Sequence, residues 1–119
     1  MKRTISEVQE QLTRKRVVPI AVIDAVEDAV SLARALAQGG LPVIEVTLRT
    51  PCALDCIRAI RQGFPETLVG AGTILEAPQV RAAIEAGASF GVSPGLNRDV
   101  VRAAMEQQML FIPDRKSVV

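Results

Sequence analysis

Apolar residues in this chain fall into short solid runs, separated by stretches where they recur every three or four positions. Residues 1–15 are polar, with a weak helical stripe at Ile5, Val8 and Leu12. Val17 to Ile23 is a first apolar run and predicts a strand. Asp24, with Glu27 three residues on, predicts a capping box for a helix. The buried face of that helix is Val26, Ala29, Val30, Ala33, Leu36 and Ala37, and Gly39-Gly40 ends it. A second strand is predicted over 42–48. Thr50-Pro51 then starts a helix with Pro at its first position and Leu54, Ile57 and Ile60 facing inward. Leu68 to Ile74 predicts strand three, and a helix follows from Pro78 to Ala86, ended by Gly87. Strand four is Phe90 to Ser93. Asn97 caps a helix that buries Val100, Val101 and Ala104, and Leu110 to Pro113 is a fifth strand.

Strand and helix thus alternate four times before the fifth strand, at intervals of twenty-odd residues. Such alternation implies an α/β fold of parallel (β/α) repeats with right-handed crossovers. Two architectures fit: a doubly wound domain of five strands, or a TIM (β/α)₈ barrel truncated after strand five. Periodicity does not choose between them.

Composition narrows the chemistry. The chain has 119 residues, is 49% apolar, and contains no Trp, Tyr or His. A formal net charge of +1 gives no reason to expect nucleic acid or a charged membrane surface as partner. The apolar runs are far shorter than a bilayer span, and the N-terminus has charges but no apolar signal region; a cytoplasmic protein is expected. Cys52 and Cys56 are the only cysteines, one helical turn apart. Without His or further Cys they cannot complete a structural zinc site, and they read as small apolar residues in a reducing compartment. No metal and no cofactor is expected. Catalysis would have to use carboxylates, lysines, hydroxyls or backbone.

Strand two carries that chemistry. In Val43 to Arg49, side chains alternate between faces, so Glu45, Thr47 and Arg49 share one and Ile44, Val46 and Leu48 the other. Charges are costly to desolvate, so an acid and a guanidinium on an inner face require a reason. Either Glu45 and Arg49 form a structural ion pair at the rim, or they belong to an anion-binding catalytic site. Ligands bind at C-terminal strand ends in both architectures, and there stand Thr73 after Gly70 and Gly72, Ser93-Pro94-Gly95, and Pro113. Arg49 can hold a carboxylate in a bidentate pair, Thr47 and Thr73 can add hydrogen bonds, and Glu45 can move protons. The set suits a small keto acid. Gly70-Ala71-Gly72-Thr73 is a poor dinucleotide fingerprint, because Leu75 stands where Gly or Ala is required and no acid ends the next strand. Its glycines read as sites of close approach.

Val17-Val18-Pro19, Ala35-Leu36-Ala37-Gln38-Gly39-Gly40, Glu45-Val46-Thr47-Leu48-Arg49-Thr50, Gly70-Ala71-Gly72-Thr73 and Ser93-Pro94-Gly95-Leu96 closely resemble the N-terminal half of the 2-keto-3-deoxy-6-phosphogluconate (KDPG/KHG) aldolases. The resemblance runs from Val17 to Pro113. It implies a class I aldolase of the Entner–Doudoroff pathway, a (β/α)₈ barrel and homotrimer that cleaves KDPG to pyruvate and glyceraldehyde 3-phosphate. By that resemblance Glu45 is the general acid/base, Arg49 and Thr73 bind the carboxylate of the pyruvate moiety, and Pro94 lines the pocket. The family's Schiff-base lysine lies on strand six and its phosphate loops follow strands seven and eight, beyond these residues. The resemblance therefore implies a partial barrel over 1–113 with an N-terminal helix at 1–15. The tail 114–119 does not match, its Lys116 comes about twenty residues too early, and the chain is expected to be inactive alone. The alternative expectation is a non-catalytic half-barrel that self-associates or binds a partner chain.

Overall fold

The computed structural model describes residues 3–113. Helix α1 (Ile5–Lys15) comes first, followed by β1 (Ile20–Ala21), α2 (Val26–Gln38), β2 (Val43–Thr47), α3 (Ala53–Gly63), β3 (Leu68–Gly72), α4 (Ala77–Ala86), β4 (Phe90–Ser93), α5 (Arg98–Glu106) and β5 (Leu110–Pro113). The strands form one parallel sheet in the order β1-β2-β3-β4-β5. A doubly wound sheet reverses direction at a switch point, and this one never does. The sequential order is that of a TIM-type barrel wall, which removes the doubly wound alternative.

Two apolar clusters hold the wall. On the outer face, Ile44, Val46, Val69 and Ala71 pack against Ala29, Ala33, Ile57, Ile60, Val80, Ala83 and Val100 of the helices. On the inner face, Val43, Leu68 and Phe90 begin their strands and pack on Val8 and Leu12 of α1. Helix α1 therefore closes the N-terminal end of the wall and leaves the C-terminal end open. Of the predicted stripe, Val8 and Leu12 pack inward while Ile5 is exposed, and the helix start is held by a capping box between Thr4 and Glu7.

Glycine placement follows backbone need at two helix ends. Gly40 (φ +85°) and Gly87 (φ +111°) take the left-handed conformation. Leu41 N–H then donates to the Leu36 carbonyl and Ala88 N–H to Ala83, as in a Schellman motif. Asn97 caps α5 as expected, its side chain accepting from the Asp99 and Val100 N–H groups.

Four local expectations are corrected. The first strand is only Ile20–Ala21, because it is an edge with one neighbour and Pro19 has no N–H to give a ladder. Asp24 caps nothing: α2 starts at Val26 with Ala25 as N-cap and no side-chain cap bond. Helix α3 starts at Ala53, not Pro51, because the Thr50 hydroxyl donates to the Ile23 carbonyl (2.6 Å) and is unavailable as a cap. Strand three stops at Gly72, since Thr73 turns to φ +57°.

Candidate active site

The Cα partners Ile20, Glu45, Gly70, Phe90 and Leu110 form one row across all five strands. Partnered residues of a parallel sheet point the same way, so this row belongs to the inner face. Glu45 is 7% exposed and Thr47 3%. The two glycines of β3 make their room. A Cβ on Gly72 would collide with the Glu45 carboxylate, and one on Gly70 would collide with the Phe90 ring. The close approach expected of these glycines is thus that of neighbouring side chains.

At the C-terminal strand ends lies a cavity of about 190 Å³, lined by Ile20, Val22, Glu45, Thr47, Arg49, Thr73, Val92, Ser93 and Pro94. All five residues singled out from sequence, Glu45, Thr47, Arg49, Thr73 and Pro94, are in that lining. Glu45 and Thr47 lie at its floor. Arg49 and Pro94 are exposed at its mouth. Strand β2 ends at Thr47, yet Arg49 still reaches the same cavity because the Leu48 N–H donates to the Gly72 carbonyl (2.9 Å) and carries the alternation one step past the strand.

Two features of the lining are costly for the fold. The Thr47 hydroxyl is buried with no hydrogen-bond partner. Buried polar atoms are nearly always satisfied, so this hydroxyl lines the cavity with its donor and acceptor unused. Thr73 is β-branched, half-buried and left-handed. That conformation costs a β-branched residue about 1–3 kcal/mol and persists only where surroundings impose it. Neither feature is legible from sequence, since one depends on what fails to pack and the other on a single dihedral.

Sequence reasoning left Ile20, Val22 and Val92 out of the site, and named Ser93 at a strand end without giving it a role. Ser93 supports the mouth: its hydroxyl donates to the Gly95 carbonyl (2.6 Å) and accepts from the Gly95 N–H (3.3 Å), closing the turn that presents Pro94. The adjacent Ser-Pro-Gly triplet was the available signal. Among the described residues no group of three or more His, Cys, Asp or Glu could hold a metal ion, and no helix is long and apolar enough to cross a membrane. Lys15, the last residue of α1, does not line the cavity; Lys2 and the tail with Lys116 lie outside the described residues.

A parallel TIM-type wall with an acid, a guanidinium and hydroxyls gathered at its C-terminal end is the half-site of a barrel-fold protein. The model of the KDPG and KHG aldolase family matches residues 8–118, and the chain belongs to that family. It is 46% identical over 118 residues to the KHG/KDPG aldolase of Escherichia coli K12, covering 99% of this chain and 55% of that one. Among solved structures it is similar to the 2-keto-3-deoxy-6-phosphogluconate aldolase of Zymomonas mobilis ZM4 with 3-phosphoglycerate (TM-score 0.84, 42% identity, 92% of this chain and 52% of that one). It is also similar to the KDPG aldolase of Legionella pneumophila with pyruvate captured as a covalent carbinolamine (TM-score 0.77, 42% identity, 81% and 47%). The chain spans about half the length of the curated relatives it matches.

Proposed function

We propose that this chain supplies the acid/base and carboxylate-binding wall of a class I KDPG/KHG aldolase site. The observation that carries the reading is the convergence of Glu45, Thr47, Arg49 and Thr73 on one cavity at the open end of the wall. Arg49 at the mouth offers a planar pair of donors to the carboxylate of a keto acid. The Thr73 and Thr47 hydroxyls complete that cradle. In the Schiff-base route, an iminium accepts the electron pair of the breaking C–C bond, leaving an enamine. Glu45 takes the proton from the departing alcohol and later returns one to the enamine carbon. The Legionella relative, with pyruvate held as a carbinolamine, supports the pyruvate moiety as ligand. The finer expectations follow the family: KDPG cleaved to pyruvate and glyceraldehyde 3-phosphate, in the Entner–Doudoroff pathway of the cytoplasm, by a homotrimer. We take 1–113 as the partial-barrel unit; the family match runs on to residue 118.

No lysine lines the cavity, so the reading requires the amine from outside the described residues. Because the family resemblance puts the Schiff-base lysine on strand six, the 119-residue chain is expected to show no KDPG cleavage and no borohydride trapping of pyruvate. Fused at Pro113 to the remaining half of the Escherichia coli relative, it is expected to cleave KDPG, and Glu45→Gln in that fusion to lose about 10²–10⁴ of the rate. A folded fusion without turnover, or one indifferent to Glu45→Gln, would sink the assignment.

A second reading has its own observation. Ile20 (68% exposed) and Ile112 (40%) on the two edge strands, and Val22 (56%) just past β1, leave apolar surface bare. A parallel edge of that kind recruits another chain. On this reading the half-barrel self-associates, and sedimentation shows species larger than a monomer. A compact monomer at micromolar concentration counts against it.

A further inference from the structure

Cys52 is the N-cap of α3 and half-buried; Cys56, one turn on, is fully buried. Both thiols are free, and the Cys56 Sγ donates to the Cys52 Sγ across 3.7 Å. The Cys52 Sγ also lies 3.3 Å from the Ile23 carbonyl, which it serves as donor, and the Thr50 hydroxyl donates to the same carbonyl. These contacts latch the segment after Arg49 to the chain just past β1. Val22 and Arg49, the residues just before Ile23 and Thr50, line the cavity.

We propose that Cys52 and Cys56 form a reversible disulfide, and that closing it opens the latch between Cys52 and Ile23. Residues four apart at a helix start lie near the upper limit of Cα separation for a disulfide, so a helix interior would resist closure. Here one partner is a cap with non-helical dihedrals (φ −93°, ψ 5°), and the backbone can give at that residue. A disulfide made at the cost of such movement is strained and easily reduced, which makes it reversible.

The oxidant is a peroxide. It meets the more accessible Cys52 first: the Cys52 sulfur attacks one peroxide oxygen, the O–O bond breaks, and a sulfenic acid and one water result. Cys56 then attacks the sulfenic sulfur, the S–S bond forms, and the S–O bond breaks with loss of a second water. Two thiols lose two hydrogens and two electrons, and the peroxide becomes two waters. Burial pushes the Cys56 thiol up, to about 12, so the second step is the slow one. Once oxidised, Cys52 has no S–H to give the Ile23 carbonyl, and its movement pulls on the turn that carries Arg49.

Only the consequence for the cavity rests on the aldolase reading; the disulfide does not. The test treats the 119-residue chain with hydrogen peroxide and reads intact mass, free thiols and local hydrogen exchange, none of which involves pyruvate. Expected are a monomeric mass loss of two hydrogens, a fall from two free thiols to none, reversal by dithiothreitol, and faster exchange at residues 49–56 in the oxidised form. Cys56→Ala is expected to stop at a sulfenic acid trapped by dimedone on Cys52. An intermolecular disulfide, or sulfinic acid on Cys52 with Cys56 still a thiol, would overturn the disulfide. Unchanged exchange in the oxidised form would overturn the latch.

Discussion

The carboxylate of Glu45 lies over Gly72, in the space that a side chain on that glycine would fill. Glu45 pairs with Gly70 in the ladder, so its side chain leans one residue pair toward the open end, where the cavity is. The acid is aimed by the absence of an atom on the neighbouring strand.

Gly72→Ala therefore has to move Glu45 or the strand. Overpacking of this kind costs about 1–3 kcal/mol. Urea unfolding of the chain is expected to show that loss, and the active fusion carrying Gly72→Ala to lose turnover as Glu45→Gln does. A variant with unchanged midpoint and unchanged rate would show that the carboxylate is not held by this contact.

Thr47→Val keeps the shape and removes the orphan hydroxyl. Removing an unsatisfied buried polar group is neutral or stabilising by up to about 1 kcal/mol in the ligand-free chain. In the fusion it is expected to weaken pyruvate inhibition. Destabilisation by more than that, with binding intact, would mean the hydroxyl has a structural role.

Thr73→Asn places a residue that tolerates the left-handed conformation where a β-branched one is forced into it. Thermal unfolding is expected at higher temperature, by the equivalent of about 1 kcal/mol. KDPG turnover in the fusion is expected to fall, because the hydroxyl proposed to hold the keto acid carboxylate is lost. A lower unfolding temperature would refute the strain at this residue.

Burial raises the Cys56 thiol to about 12, from an ordinary value near 9. Between those limits the unfolded chain gives up the proton and the folded chain keeps it. The unfolded state then binds fewer protons, so stability falls as pH rises through that window. Urea midpoints measured from pH 8 to 11 are expected to decline more steeply than those of Cys56→Ala. Parallel slopes would show that this thiol ionises freely in the fold.

The resemblance motifs and the alternation of strand and helix already placed the chain in its family, and period-two reasoning put Glu45, Thr47 and Arg49 on one face. Local signals read well where the backbone alone decides, as at Gly40, Gly87 and Asn97. They failed at Asp24 and Pro51, where tertiary contacts near Ile23 claim Thr50 and set where α3 begins. By itself the sequence determined the elements, their order and the residues able to do chemistry, because periodicity and residue type are local. Only the tertiary structure decided that the sheet is sequential, that Gly72 makes room for Glu45, that Thr73 is left-handed and that two sulfurs meet. Those depend on which distant residues share space, and no local pattern encodes that.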